Sequence, residues 1–475
     1  MQDYVSELDT AEASREALVE DAVVWASQHG LIVGAGLRDL SIATVHAPLA
    51  LLPVSYPKET FLKAKQAAQV FNLMIDRVAQ DESYLQQVLA AAAEYDDFMA
   101  QLLQVLRDTA DARQAARGNE RVLAINRSDY MLHEPTSSLL QVELNTVASS
   151  FGCLSTLVGR LHRYLLQRSG AAAGQLERLP PNNAMDNLVD AMAAAAQEYG
   201  VEGAVMVMVV QPGERNAYDQ QWLQTRLWER HQIRTLRKTL AQIAAEGSVD
   251  SSSGRLSLSG VPVAVVYFRA GYTPADYPSE AEWEARVLVE RCDAYKCPTV
   301  AYQLAGAKKI QQDLTRAGVV ERYVDSAEDA ELLRAFFAGQ WGLEDVSHPG
   351  TQEAIEQAIA APEDYVLKPQ REGGGNNLYG DELRARLQQG GPGLAAFVLM
   401  QRIKPPVNRS IMVRNGVATT AETLSELGIY GTLVRRGQQV LHNAEAGHLV
   451  RTKAASSNEG GVAAGFAVLD SPMLY

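Results

Sequence analysis

The sequence predicts an α/β fold made of several sub-domains, with a helical region near its start. Three observations carry this. Residues 58–117 are dense in helix formers, with Phe71, Met74 and Val78 at helical spacing. The runs "AVMVMVVQ" (204–211) and "VPVAVVYFR" (261–269) are almost wholly apolar, as strands buried on both faces of a parallel sheet are. A chain of 475 residues also exceeds what one core usually organises, so two or three sub-domains are expected.

Taken in order, "LQQVLAAAAEYDDFMAQLLQVLRD" continues the helical pattern, and no chemistry is needed to explain it. "RVLAINRSDYM" (121–131) and "LLQVELNTVASSFG" (139–152) then read as short strands closed by polar loops. A second alanine-rich helix spans about 184–198, and "DQQWLQTRLWERHQ" supplies a helix between the two apolar runs. This alternation defines an α/β unit over 201–309, in which "DSSSGRLSLSG" (250–260) is a turn or hairpin. Further strands are expected at 365–369, 397–403 and 411–414.

Composition narrows the function classes. An apolar fraction of 47% and a charged fraction of 21% are those of a soluble globular protein. With a formal net charge of −14 and no basic patch, a nucleic-acid partner is not expected. Cys153, Cys292 and Cys297 lack both a disulfide framework and zinc-ligand spacing, so they read as reduced structural thiols. The acidic start "MQDYVSELDTAEASREAL" is not a signal peptide, and no apolar run approaches the roughly 18 residues of a membrane span. A cytoplasmic protein without a membrane partner is expected.

Several motifs are lures. "LIVGAGLRDL" (31–40) lacks the third glycine and the later acid of a dinucleotide fingerprint, and reads as an ordinary turn. Neither a P-loop nor an H-E-x-x-H occurs, and His448 in "AGHLVRTK" reads as a satisfied structural histidine. "KPQREGGGNNLYG" (368–380) is different. A strand "YVLK" delivers Lys368 to a glycine-rich loop whose backbone N–H groups can approach phosphate oxygens. Glu372 is a hard oxygen donor suited to Mg²⁺, and Asn377 adds an amide.

"QVELNT" (141–146) complements that loop. As a strand it would turn Gln141, Glu143 and Asn145 to one face, giving half a magnesium site that Glu372 could complete. Arg127, Arg269 and Arg451 stand beside polar loops and suit a substrate with several carboxylates, although surface ion pairs would look the same. Lys453 would share the face of Arg451 and reach nucleotide phosphate. "EGGVAAG" (459–465) reads as a flap.

The ordered set "NRSDYM", "VELNT.ASSFG", "ERN..DQ", "VVYFR.GY", "QLAG.KK", "LKPQREGGGNNLYG", "SELGIYG" and "GHL.RTKA….GGVAAG" resembles the eukaryotic-type glutathione synthetases over nearly the whole chain. The resemblance implies an ATP-grasp fold. Residues 1–200 would hold the helical region and part of the core, 201–309 an inserted substrate-binding domain, and 310–475 the remaining core with loop and flap. It also implies a homodimer joining γ-glutamylcysteine to glycine with ATP and Mg²⁺.

Glu143, Asn145 and Glu372 match the family's magnesium ligands, and Glu143 and Glu372 also its ATP site. Its other ATP contacts fall on Lys308, Lys368, Gly373, Gly374, Gly375, Asn376, Asn377 and Tyr379. They continue with Met400, Gln401, Arg402, Ile403, Glu426, Lys453 and Glu459. Substrate contacts fall on Arg127, Val147, Ala148, Ser149, Ser150, Glu214, Arg215, Asn216 and Gln220. Arg269, Ala270, Gly271, Tyr272, Arg451, Val462 and Ala463 complete that set. Three departures stand out: Ala270 replaces an aspartate, Gln401 and Arg402 an acid–lysine pair, and Glu459 an aspartate.

The implied mechanism activates a carboxylate as an acyl phosphate, which the glycine amine then attacks. Lys368, Arg127 and Arg451 are the residues expected to act on the reacting groups. Two alternatives remain: a ligase for another amine such as β-alanine, and a non-catalytic nucleotide sensor. A sensor should have lost a metal ligand or the loop lysine, and both are present.

Overall fold

The structure, a computed structural model, describes residues 12–35, 43–370, 376–457, 461–462 and 465–475. Its α/β character is as expected. The helical stretch at 58–117 is four helices rather than one: Lys58–Gln80, Glu82–Ala93, Asp97–Asp108 and Ala110–Ala115. Asp81 and Asp96 make two of the breaks. Their carboxylates accept from the backbone N–H groups of Tyr84 and Met99, starting new helices where a continuous one would otherwise run. Lys58–Gln80 buries Phe61, Ala64, Phe71, Ile75 and Val78 along one face.

That face packs on a large sheet of 13 strands, whose centre is the long antiparallel hairpin Val417–Arg436 and Gln439–Ala454. Arg121–His133 runs antiparallel beside the first hairpin strand, and Ser138–Asn145 returns along its other edge. Leu427, Ile429 and Leu433 meet the helices on one side of the sheet. On the other side Leu123, Ile125, Tyr430 and Val434 pack against Gly152–Arg168 and Ala184–Tyr199.

The 201–309 unit holds the two expected parallel strands, Val205–Val209 and Val261–Phe268, and two that the sequence did not mark, Thr235–Lys238 and Tyr295–Cys297. These continue the large sheet, because Tyr295–Cys297 pairs in parallel with Arg121–His133 at Lys296↔Val122. "LIVGAG" contains the strand Ile32–Gly34, paired antiparallel with Thr44–His46. A separate antiparallel sheet of Gln340–Gly342, Phe397–Gln401 and Tyr365–Pro369 carries the helices Pro349–Ala360 and Gly380–Gln389 on one face. Among the described residues no helix is long and apolar enough to cross a membrane.

Asp470 closes the strand Ala467–Asp470 inside this core. Its carboxylate accepts from Thr452 Oγ1 at 2.6 Å, Ser471 N at 2.7 Å and Val54 N at 3.3 Å. Burial lifts its pKa to about 7, from a reference of 3.8. The folded state therefore holds this proton more tightly than the unfolded chain. The resulting stability is fully present below pH 3.8 and is lost as pH rises through about 7. Asp470→Asn should remove that slope, so the variant gains on the wild type between pH 4 and pH 7 by on the order of a few kcal/mol. Urea midpoints across this range check it, and a constant difference would contradict it.

Candidate active site

Along Arg121–His133, the sheet face that is apolar at Leu123 and Ile125 turns polar at Arg127 and Asp129. Cross-strand neighbours share a face, so the register gathers the chemistry. Arg127 lies opposite Asn145, Asp129 opposite both Glu143 and Gly428, and Glu426 opposite Arg451. Lys453 pairs with Leu424 two residues further along. Arg127, Glu143, Asn145, Glu426, Arg451 and Lys453 line a cavity of about 550 Å³.

One part of the strand expectation fails. A bulge lets Tyr130 pair with Gln141 and Asp129 with Glu143, leaving Val142 over. Gln141 is thereby buried, donating to Ser128 Oγ at 2.5 Å, instead of sharing the cavity with Glu143 and Asn145. The extra residue turns the Val142 carbonyl to Lys368, whose Nζ donates to it at 2.9 Å.

Asp129 was not anticipated, and it organises the wall. It is fully buried and takes Arg127 Nε at 2.6 Å and Nη2 at 2.8 Å. It also accepts Arg451 Nη2 at 3.0 Å and Asn145 Nδ2 at 3.0 Å. Arg451 bonds Glu426 as well. Burial alone would lower the pKa values of both arginines, but the neighbouring carboxylates outweigh it and raise them. Gly428 makes the arrangement possible: a Cβ there would lie 2.8 Å from Arg127 Cδ and from Asp129 Oδ1. The signal for Asp129 was its spacing, two residues after Arg127 on the same strand face.

Glu143 sits 3.8 Å from Lys308 Nζ. Burial pushes its carboxyl up, yet Lys308, Lys368, Arg451 and Arg127 together hold it down at about 2. It is ionised at neutral pH. Glu426 behaves oppositely: burial raises it, Arg451 pulls it back, and Asp129 and Glu143 add to the rise. Asn145 commits its NH₂ to Arg127 O and Asp129, leaving its amide oxygen for the cavity. An ionised carboxylate and an amide oxygen on one wall fit the hard-donor set of a magnesium ion.

The facing wall comes from the three-stranded sheet. Val366, Lys368, Asn376, Asn377 and Tyr379 line it, with Met400, Gln401, Arg402 and Ile403 at one end. Gln401 is a tether: its N donates to Gly339 O at 2.8 Å and its Oε1 accepts from Gly339 N at 3.1 Å. Arg402 lies over the Tyr379 ring and donates its N to Asp364 O at 2.8 Å. Lys309 N donates to Gln370 Oε1 at 2.9 Å, tying the helix that begins at Lys308 to the strand bearing Lys368. Glu372, Gly373, Gly374, Gly375, Glu459 and Ala463 lie outside the described residues.

Val147, Ala148, Ser149 and Ser150 form the cavity edge toward the 201–309 unit. Ser150 O accepts from Arg127 Nη1 at 3.2 Å and Tyr430 OH at 2.5 Å. The next residue, Phe151, donates its N to Asp219 at 2.9 Å, and Asp219 also takes Cys153 N and Arg269 Nη1. A buried polar chain thus links Arg451 to Arg269. Tyr272 lines the cavity, while Gln220 donates to Glu214 at 2.6 Å behind it.

Of the other expected substrate contacts, Glu214, Arg215, Asn216, Gln220, Arg269, Ala270, Gly271 and Val462 do not line this cavity. Ala270 packs in the apolar core of the 201–309 unit and Val462 in the core beneath the large sheet. Arg215 Nε donates to Gly34 O at 3.4 Å, and Gly271 is held by its N–H on Asp276. Asp276 also takes the N–H groups of Tyr272 and Thr273, so it sets the loop where Ala270 replaces an acid. His448 is buried edge-on to Phe61, and among the described residues its ring Nδ1 has no hydrogen-bond partner, where a satisfied histidine was expected.

Two sheets face each other across the cavity, with lysines on both sides of an ionised carboxylate, an arrangement that suits phosphate groups. Residues 12–474 match the family model of the eukaryotic glutathione synthase, ATP binding domain. The chloroplastic glutathione synthetase of Solanum lycopersicum is 48% identical over 466 residues, covering 96% of this chain and 84% of the relative. The Homo sapiens glutathione synthetase is 39% identical over 465 residues, covering 96% of each. In fold, the apo structure of a glutathione synthetase-like effector from Globodera pallida is similar, with a TM-score of 0.76 at 21% identity over 97% of this chain and 96% of that one. The chain belongs to the eukaryotic glutathione synthase family.

The four donors on Asp129 make its charge the test of this wall. Asp129→Asn would leave two buried guanidiniums undercompensated and should lower stability by about 3–5 kcal/mol in urea unfolding. An unchanged midpoint would contradict that role.

Proposed function

We propose that this protein makes glutathione, ligating γ-glutamylcysteine to glycine with ATP and releasing ADP and phosphate. The observation that carries this reading is Glu143, ionised on the cavity wall between Lys308 and Lys368, with Arg127 and Arg451 on the same face. Such a cradle stabilises charge that moves from a phosphate to a carboxylate oxygen.

The cysteinyl carboxylate attacks the γ-phosphorus, the bond to the bridging oxygen of ADP breaks, and an acyl phosphate forms. Lys308 and Lys368 offset phosphate charge, while Arg127 and Arg451, held by Asp129, orient and neutralise the carboxylate. The glycine amine adds to the acyl carbon, and phosphate leaves as the amide forms. Glu143, Asn145 and Glu372 would hold Mg²⁺, which supplies charge neutralisation at the phosphates. No nucleophilic side chain is needed, in keeping with three buried cysteines. The reading includes a homodimer in the cytoplasm, which light scattering and localisation of a fluorescent fusion would test.

Purified protein with Mg-ATP and γ-glutamylcysteine should release ADP only when glycine is added, with glutathione as product. Preference for β-alanine or serine would keep the mechanism and change the acceptor; ATP binding without turnover on any amine would favour a sensor. Glu143→Gln should lower turnover on the order of 10²-fold or more while leaving the fold intact. Turnover within a few-fold of wild type would remove Glu143 from the reacting groups.

A further inference from the structure

Arg237 belongs to none of the motifs above. It sits on the strand Thr235–Lys238 opposite Met208, half-buried, with no carboxylate at ion-pair distance among the described residues. Its Nη2 donates to Gln220 Oε1 at 2.8 Å, and its Nη1 reaches Met208 Sδ at 3.5 Å. Burial and the nearby Arg269 lower its pKa, while Glu214 works against them. A guanidinium kept without an acid of its own is costly unless something uses it.

Gln220 shows what that use is. Its side chain is fully buried between Arg237, which can only donate, and Glu214, which as a carboxylate can only accept. Arg237 therefore forces the amide oxygen toward itself and the NH₂ onto Glu214 Oε2 at 2.6 Å. Were the amide reversed, an oxygen would face the carboxylate and repel it. Glu214 Oε1 has no hydrogen-bond partner among the described residues. Two buried atoms lack hydrogen-bond partners among the described residues: the acceptor Asn216 Oδ1, two residues from Glu214, and the donor Arg269 Nε, on a guanidinium that Glu214 acts on electrostatically. Glu214 and Arg269 both act electrostatically on Tyr272, which lines the cavity. Spare acceptors beside a spare guanidinium N–H complement an ammonium next to a carboxylate.

We propose that Arg237 is a positioning residue for the amino-acid head of the donor peptide: it locks Gln220 so that Glu214 is held ready to take the donor's ammonium group. This rests on the reading of the site as one for γ-glutamylcysteine. Arg237 touches no reacting atom, and its effect is on which donor is accepted.

The experiment compares γ-glutamylcysteine with glutarylcysteine, the same donor without its amino group, using glycine as acceptor. In the wild type, γ-glutamylcysteine should be strongly preferred by kcat/KM. Arg237→Met should raise KM for γ-glutamylcysteine and shrink that preference, each about tenfold, as loss of one charge-assisted hydrogen bond implies. The KM for ATP and kcat at saturation should stay within about twofold, because uniform binding alone is affected. Arg237→Lys, still a donor-only cation, should restore most of the preference, and Arg237→Gln replaces Arg237→Met should the latter not fold. An unaltered preference, or an equal loss on both donors and on ATP, would make Arg237 a pin for its strand and overturn the proposal. If wild-type protein turns over glycine but does not distinguish the two donors, the reading of the peptide site falls, and this inference with it.

Discussion

The active site depends on one buried negative charge. Arg127 and Arg451 both line the cavity and both donate to one oxygen of Asp129, so their like charges are held close enough to repel. Asp129 removes that obstacle by accepting from both, and a third donor, Asn145, is aligned by the same carboxylate. It can do so because its strand is flanked on one side by Glu143 and on the other by Gly428, which offers no side chain to displace it. Metal-ligand candidates, arginines and phosphate-facing lysines are therefore parts of a single electrostatic balance. Glu143 stays ionised because four cations surround it, and the two arginines among them are held by Asp129, with Glu426 also bonding Arg451.

The sequence carried more of this than of the wall that supports it. Strong local periodicity made the apolar strands at 204–211 and 261–269 and the helical stretch at 58–117 visible, whereas the helix breaks at Asp81 and Asp96 depended on single capping side chains. Arg127, Glu143, Asn145, Lys368 and Arg451 could be singled out because charge in short polar loops and strand ends is conspicuous. The bulge at Val142 was not legible: alternation over six residues says nothing about an extra residue, whose existence is decided by pairing with a strand ten or more positions away. Asp129, Asp219 and Asp276 escaped for a related reason. Asp129 meets Arg451, and Asp219 the amides of Phe151 and Cys153, only through folding, while Asp276 works on backbone N–H groups that a sequence does not display. Arg237 was hidden in the same way, since its meaning lies in the orientation of a glutamine on another element.

At Ala270, where the resemblance has an aspartate, the side chain packs in the interior of the 201–309 unit, and the backbone amides of the loop are gathered by Asp276. Gln401 likewise spends its side chain on Gly339, so the change of residue alters how the loop is tethered and leaves the cavity's end walled by the same strand.

The continuity of the large sheet has a consequence for how the chain acquires its structure. Arg121–His133 has its neighbours in Ser138–Asn145, Tyr295–Cys297 and Val417–Arg436, so its pairings span from a few residues to some three hundred. Ala467–Asp470 closes against Leu49, and Pro472–Leu474 runs beside Val54–Tyr56. A growing polypeptide can form its helices early, but Arg121–His133 meets its most distant partner only once residues 417–436 have been synthesised, and the strands at 467–474 close the sheet last. High contact order of this kind slows folding and leaves strand edges open meanwhile. The same connectivity that joins the 201–309 unit to the central strands in one sheet ties the completion of that sheet to strands made late in synthesis.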